Sequence, residues 1–307
     1  MDKTLFKYDI EAWLMSIKIK CKATTYSNYQ YTVRSRIEPK FSNLKKQFIT
    51  TDLVNSFTME LLNEGLCPKT VKDILVILKQ ILVFSNVDIK FAMPKINKKE
   101  IKILLPSEQA LLEKYLFENI NLNTVGIMIC LYMGLRIGEL CALRWENIDL
   151  KDKKIKIRNT ITRIKNNDPT KKNKTVVLID SPKSSCSIRE IPIPDFMIPI
   201  LKSIRGNIDP NCFFLTGNMK FLESRTFFSR YKNILKKINL SSYNFHVLRH
   251  TFATRCVEQG FDPKLLSEIL GHSNVKITLD RYVHPSYESK VKMMNQMKPL
   301  YKSKKHN

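Results

Sequence analysis

Six residues in this 307-residue sequence have the types and spacing to act together on a phosphate. Arg136 lies in GLRIGEL, Lys183 in SPKSSCSIREIPI, His246 and Arg249 in HVLRH, His272 in LGHSN and Tyr282 in LDRYVH. Arginines are permanent cations whose planar forks match the non-bridging oxygens of a phosphate. His246 and Arg249 are spaced i, i+3, so a helix presents both on one face. His272 follows Gly271 directly and therefore projects from a helix end rather than from mid-helix. A tyrosine hydroxyl attacks phosphorus when a base takes its proton and cations offset the developing charge. A lysine on a turn, as at 183, can protonate the leaving oxygen. The sequence has no carboxylate cluster suited to Mg²⁺, no P-loop lysine motif and no Cys/His metal spacing. No cofactor and no metal is therefore expected, and the set fits phosphoryl transfer through a covalent phosphotyrosine. Taken singly, each residue has an ordinary structural reading; their order and spacing together carry the argument. His250 is read as packing, on a helix face other than that of His246.

The elements that must position these residues divide the chain. Phe6, Ile10, Trp13, Leu14 and Ile17 recur at helical spacing, as do Tyr26, Tyr29, Val33 and Ile37. A third helix is expected from about Asp52 to Glu64, ending at Gly65, and a fourth from Pro68. Residues 1–87 thus read as a small helical module, with Tyr26, Tyr29 and Tyr31 among basic residues. Residues 88–104, with Pro94 and several lysines, read as a basic linker. Residues 105–307 form a second domain. Its segment Thr124–Leu143 is an apolar helical region broken by glycines at 134 and 138. Strands are expected at Lys154–Arg158, at 176–179 and at 188–193, as a small antiparallel sheet. Helices then resume, with Asp262–Pro263 opening a short one that Gly271 closes. The fold class is mainly α with a small antiparallel β-sheet. The segment after Tyr282, with Met293, Met294 and Met297, is expected to form an amphipathic tail helix.

Charge bounds the partners. Fifty-two Lys and Arg against 28 Asp and Glu leave a net charge of +24, spread along the whole chain. Such an excess points to a polyanion, with nucleic acid backbone ahead of an anionic membrane surface. The lysine-rich stretch 159–182 is a candidate for further contact with that backbone. The seven cysteines show no CxxC pair, and Cys130 and Cys141 fall in apolar helical patterns. They read as reduced, buried thiols of a cytoplasmic protein. No signal peptide and no membrane span is read from the sequence.

On these motifs the chain resembles the tyrosine recombinase (phage integrase) family over nearly its whole length. GLRIGEL resembles the family's first-arginine motif and HVLRHTFAT its His-x-x-Arg box. LGHSNVKITLDRYVH resembles the terminal histidine and tyrosine box, the most specific piece. PKSSCSIREIPI resembles the β-hairpin that carries a catalytic lysine. The resemblance implies a core-type DNA-binding module followed by a catalytic domain. It implies that Arg136 and Arg249 hold the scissile phosphate, that Lys183 is the general acid toward the leaving 5′ oxygen, and that His246 is the acid–base group near the nucleophile. It further implies that His272 stabilises the transition state and that Tyr282 forms a 3′-phosphotyrosyl bond. Glu139 matches an acidic position whose implied role is to steady the site by orienting His246. The implied partners are double-stranded DNA, three further copies of the chain on paired sites, and an accessory directionality factor. An additional amino-terminal arm-binding domain is not expected. The same chemistry serves a Xer-like resolvase or a type IB topoisomerase, and a non-catalytic DNA-binding protein could keep the fold.

Overall fold

The computed structural model describes residues 5–97, 100–166, 173, 175–180, 187–283, 291, 294 and 295. The chain divides into two compact units. The first comprises residues 1–100 and 162–178, the second residues 101–161 and 179–307.

The first unit is built on helices. They are α1 (Phe6–Lys20), α2 (Ala23–Thr32), α3 (Glu38–Phe41), α4 (Thr51–Asn63) and α5 (Pro68–Phe84). A π-helical stretch, Val33–Ile37, runs α2 into α3. Apolar residues at three- and four-residue steps explain the packing. Phe6, Ile10, Trp13 and Leu14 of α1 meet Val71, Leu75, Leu78 and Leu82 of α5 and Val54, Phe57 and Leu61 of α4 in one core. The Thr50 hydroxyl accepts from the amide of Leu53 and caps α4. Val87, Ile89, Phe91 and Met93 lie against this core. Residues 101–104 belong to the second unit: the Leu104 amide donates to Thr251 Oγ1 at 2.9 Å, and Ile101 packs beside Ala253. Of the 88–104 segment read as a linker, both ends are thus anchored by packing.

The second unit begins with α6 (Pro106–Glu118), α7 (Leu122–Met133) and α8 (Ile137–Ala142). Strands β1 (Ile148–Asp149) and β2 (Lys154–Ile157) follow. Next in sequence come β3 (Thr160–Lys165) and β4 (Thr175–Asp180), most of whose residues belong to the first unit and which pair as a separate two-stranded sheet, and then β5 (Arg189–Pro192) of the second unit. Helices α9 (Met197–Arg205), α10 (Ser224–Lys237), α11 (His246–Glu258), α12 (Pro263–Leu270) and α13 (Val275–Tyr282) complete the order. The antiparallel sheet runs β1-β2-β5, with Ile155 opposite both Ile148 and Ile191. Ile155, Ile157 and Ile191 bury one face, as period-two alternation requires. The sequence placed 176–179 in the same sheet as the other two strands. The structure instead pairs it with β3, TITRIK, which lies in the stretch read as a candidate DNA contact rather than as a strand. The mainly α fold with small sheets is as expected.

Helix α7 is the spine of the second unit, buried from Thr124 to Leu131 and packed against α6, α8, α9, α10 and α11. Asn121 caps it, its side chain accepting from the amides of Asn123 and Thr124. Gly134 ends it in the left-handed conformation, at φ 68°. Gly138 does not break the chain but sits inside α8, where a Cβ would lie 2.7 Å from the Ile161 carbonyl oxygen. At Gly134 both the backbone and the space forbid a side chain. A Cβ there would approach Phe252 Cδ1 to 2.6 Å and Leu270 Cδ2 to 2.9 Å. Gly134→Ala is therefore expected to lower unfolding free energy by about 2–4 kcal/mol, summing left-handed strain and overpacking. A shift of the denaturant midpoint measures it, and an unchanged midpoint would contradict this account. Among the described residues, no helix is long and apolar enough to cross a membrane.

Candidate active site

Two helices end on left-handed glycines, α7 at Gly134 and α12 at Gly271. Helix ends leave carbonyls without intrahelical donors. Arg249, in the first turn of α11 and 4% exposed, spans both ends. Its Nη1 donates to the Gly134 carbonyl at 2.8 Å and its Nη2 to the Leu270 carbonyl at 2.7 Å. Burial and the neighbouring Arg136 push its pKa down to about 9, so it stays a cation at neutral pH.

Arg136 opens α8, and its Nη2 donates to the Gly271 carbonyl at 3.2 Å. Its Nη1 and its backbone amide donate to the two carboxylate oxygens of Glu139, at 2.7 and 3.0 Å. Glu139 is 3% exposed and also receives Arg189, whose Nη1 and Nη2 reach the same two oxygens at 3.1 and 2.9 Å. Burial alone would raise the Glu139 carboxyl. The hydrogen bonds and charges of Arg189 and Arg136 outweigh it and hold the pKa at about 2. Arg136 and Arg189 donate to both Glu139 oxygens, and the same carboxylate bears electrostatically on His246. The first two cations and this anion thus form a rigid frame around the ends of α7, α8 and α12.

The histidines and the tyrosine fill the frame. Asp262 caps α12 through the amides of Lys264 and Leu265, and Gly271 turns the chain so that His272 leaves the helix end. The His272 Nδ1 lies 2.8 Å from Thr278 Oγ1, a buried residue of α13. Burial, with Arg249 and Arg136 next, lowers the His272 pKa to about 3, so the ring is neutral at pH 7. His246 keeps an exposed surface, yet desolvation and the nearby Arg249 and Arg136 also lower its pKa. Asn274 caps α13 through the amide of Lys276, and Tyr282 is the last residue of that helix. The Tyr282 side chain is buried with Ala253, Cys256, Leu266 and Leu270. Burial raises the phenol's pKa, against the pull of Arg249 and Arg281.

The Tyr282 hydroxyl lies 2.7 Å from Nδ1 of His250. His250 was read from the sequence as packing on a separate face, and this reading is corrected. Positions 246 and 250 are one helical turn apart and share a face, with ring centroids 6.1 Å apart. Sequence reasoning also missed Arg189. Of the six residues first singled out, Arg136, His246, Arg249, His272 and Tyr282 fall around the ends of α7, α11, α12 and α13. Lys183 lies outside the described residues, as do Met293 and Met297 of the expected tail helix. Cys130 and Cys141 are buried free thiols, as expected.

Residues 108–289 match the model of the phage integrase family, and residues 5–62 match its N-terminal SAM-like domain. The chain belongs to the phage integrase family. It is thus a tyrosine-type site-specific DNA recombinase, as the motifs implied. Among its relatives is a XerC-like tyrosine recombinase of Caldanaerobacter subterraneus subsp. tengcongensis, 25% identical over 95% of this chain and 82% of that protein. The ICEBs1 integrase of Bacillus subtilis is 27% identical over 93% of this chain and 80% of its own length. A solved structure of the Tn1549 transposon integrase with a circular intermediate DNA shares the fold. Its TM-score is 0.77 at 20% identity, covering 96% of this recombinase and 99% of that chain.

Proposed function

We propose that this recombinase cleaves and rejoins double-stranded DNA through Tyr282, forming a 3′-phosphotyrosyl bond, in the integration and excision of a mobile element. The observation that supports the reading is the convergence of Arg249 and Arg136 on the paired helix ends, with both cations bearing on the Tyr282 phenol. Their remaining N–H groups clamp the non-bridging oxygens of the scissile phosphate. The clamp is fixed before substrate arrives, because both guanidiniums are already held by backbone carbonyls. His246 and His272, neutral at pH 7, donate hydrogen bonds to the same phosphoryl group. Lys183 is assigned the proton for the leaving 5′ oxygen. The 5′-hydroxyl of a second strand reverses the step, and the ester linkage retains the energy of the broken bond. Exchange between two duplexes requires four such cleavages, so the acting species is a tetramer on paired sites, biased by an accessory directionality factor. The net charge of +24 supplies sequence-independent affinity for the duplex, with the reaction in the cytoplasm, at the nucleoid.

The test is a duplex carrying a nick beside the cleavage point, which loses its short 5′-hydroxyl fragment and traps the covalent complex. A protein–DNA adduct whose nucleotide-bearing peptide contains Tyr282 is expected. An adduct on another residue, or none on substrates drawn from the ends of the element, would refute the assignment.

A further inference from the structure

The group that receives the nucleophile's proton is open, because the resemblance assigned acid–base work to His246, whereas the ring touching the phenol oxygen is His250. We propose that His250 accepts the Tyr282 proton during cleavage and returns it during rejoining. The proposal rests on Tyr282 being the nucleophile.

Three observations carry it. The first is contact: His250 Nδ1 is 2.7 Å from Tyr282 Oη, within the range required of a general base. The second is the tautomer this contact allows. A phenol at neutral pH carries its hydrogen, so it donates to Nδ1, and the ring hydrogen of His250 then sits on Nε2. The third is the setting. The charged and titratable groups bearing on His250 are His246 and Arg249 of its own helix, and Arg281 and Tyr282 of α13. Among the described residues no carboxylate is one of them. Burial together with those cations lowers the His250 pKa to about 4, so the ring is free to accept a proton throughout the neutral range. The negative charge of the bound phosphodiester, and the second that develops at phosphorus as the phenolate attacks, offset the arginines and stabilise the protonated ring at that moment. His246, one turn away, is then left to the phosphoryl oxygens.

The step balances. As Tyr282 Oη forms its bond to phosphorus, the phenolic O–H bond breaks and its proton passes to His250 Nδ1. The P–O5′ bond breaks, and the leaving oxygen takes a proton from the general acid assigned above to Lys183. In rejoining, a 5′-hydroxyl gives its proton to the Lys183 amine and attacks phosphorus. The P–Oη bond breaks, and the imidazolium of His250 reprotonates the phenolate.

The experiment measures single-turnover adduct formation on the nicked duplex for the full chain and for His250→Ala and His250→Asn. His250→Ala is expected to slow adduct formation by on the order of 10²-fold or more, with DNA affinity retained. Added imidazole is expected to restore the rate, and a more basic methylimidazole to restore it further. His250→Asn keeps a hydrogen-bonding atom near the phenol but is not basic, so it is expected to be as slow as the alanine variant. Wild-type rates in either variant would overturn the proposal, as would a slow alanine variant that no imidazole rescues, since His250 would then only position the phenol. Absence of any Tyr282 adduct with the unsubstituted chain would instead refute the nucleophile assignment on which the proposal stands.

Discussion

With Tyr282 replaced by phenylalanine, the recombinase is expected to bind its site with unchanged affinity and to form no covalent adduct at all. The phenol oxygen is the atom that would carry the phosphate. The ring itself belongs to the apolar cluster of Ala253, Cys256, Leu266 and Leu270, and phenylalanine fills the same volume. The bonds surrendered are those of the phenol oxygen to His250 and Arg281, each worth roughly 1 kcal/mol, so α13 should stay docked. Filter retention of labelled nicked duplex separates the outcomes: retained binding with zero adduct supports the assignment, and any residual adduct places the nucleophile elsewhere.

Glu139→Ala is the change expected to cost most in stability. The carboxylate is buried and receives four hydrogen bonds, two from Arg136 and two from Arg189. Its removal leaves two guanidiniums close together with no anion between them, and Arg189 is itself only 6% exposed. Breaking one side of such a buried pair costs about 3–5 kcal/mol. Adduct formation should fall as well, because Arg136 loses the partner that fixes its fork. The same pairing makes the protein acid-sensitive. The carboxyl's folded pKa of about 2 lies below its ordinary value of 4.5, so its contribution is fully present above that value. It is lost as pH falls through the window from 4.5 towards 2, amounting to about 3 kcal/mol in full. Chemical denaturation at pH 7 and at pH 3 measures both effects; a variant as stable as the parent at pH 7, or one with the same acid sensitivity, would contradict the assignment.

How much of this was legible in the sequence differs by residue. Asp262, Pro263 and Gly271 announced a helix and its two ends, because capping and left-handed turns are local chemistry. The same locality made Arg249 and His246 readable as a pair. Arg189 was not, because alternation marks a strand residue as facing one side or the other without saying what lies there. Its partner Glu139 is 50 residues away, and only folding brings them together. His250 carried a usable signal, four residues after His246 and hence on its side of the helix, but its partner is on another helix and 32 residues on. Strand β3 was hidden inside a lysine-rich stretch read for its charge, where Ile161 and Ile164, three residues apart, break the period-two alternation that marks a strand. Glu139 was found for its spacing from Arg136, yet spacing alone could not reveal that a second arginine competes for it.

Arg249 is at once a latch and a ligand. A guanidinium offers five N–H groups, and two of them secure the carbonyls of Gly134 and Leu270, leaving others to face an anion. Lysine at this position would keep the charge, but its single nitrogen could not reach across two helix termini and still aim a donor outward. The position is therefore committed to arginine by architecture as much as by reaction, and any anion it grips tugs on both termini through the same flat group.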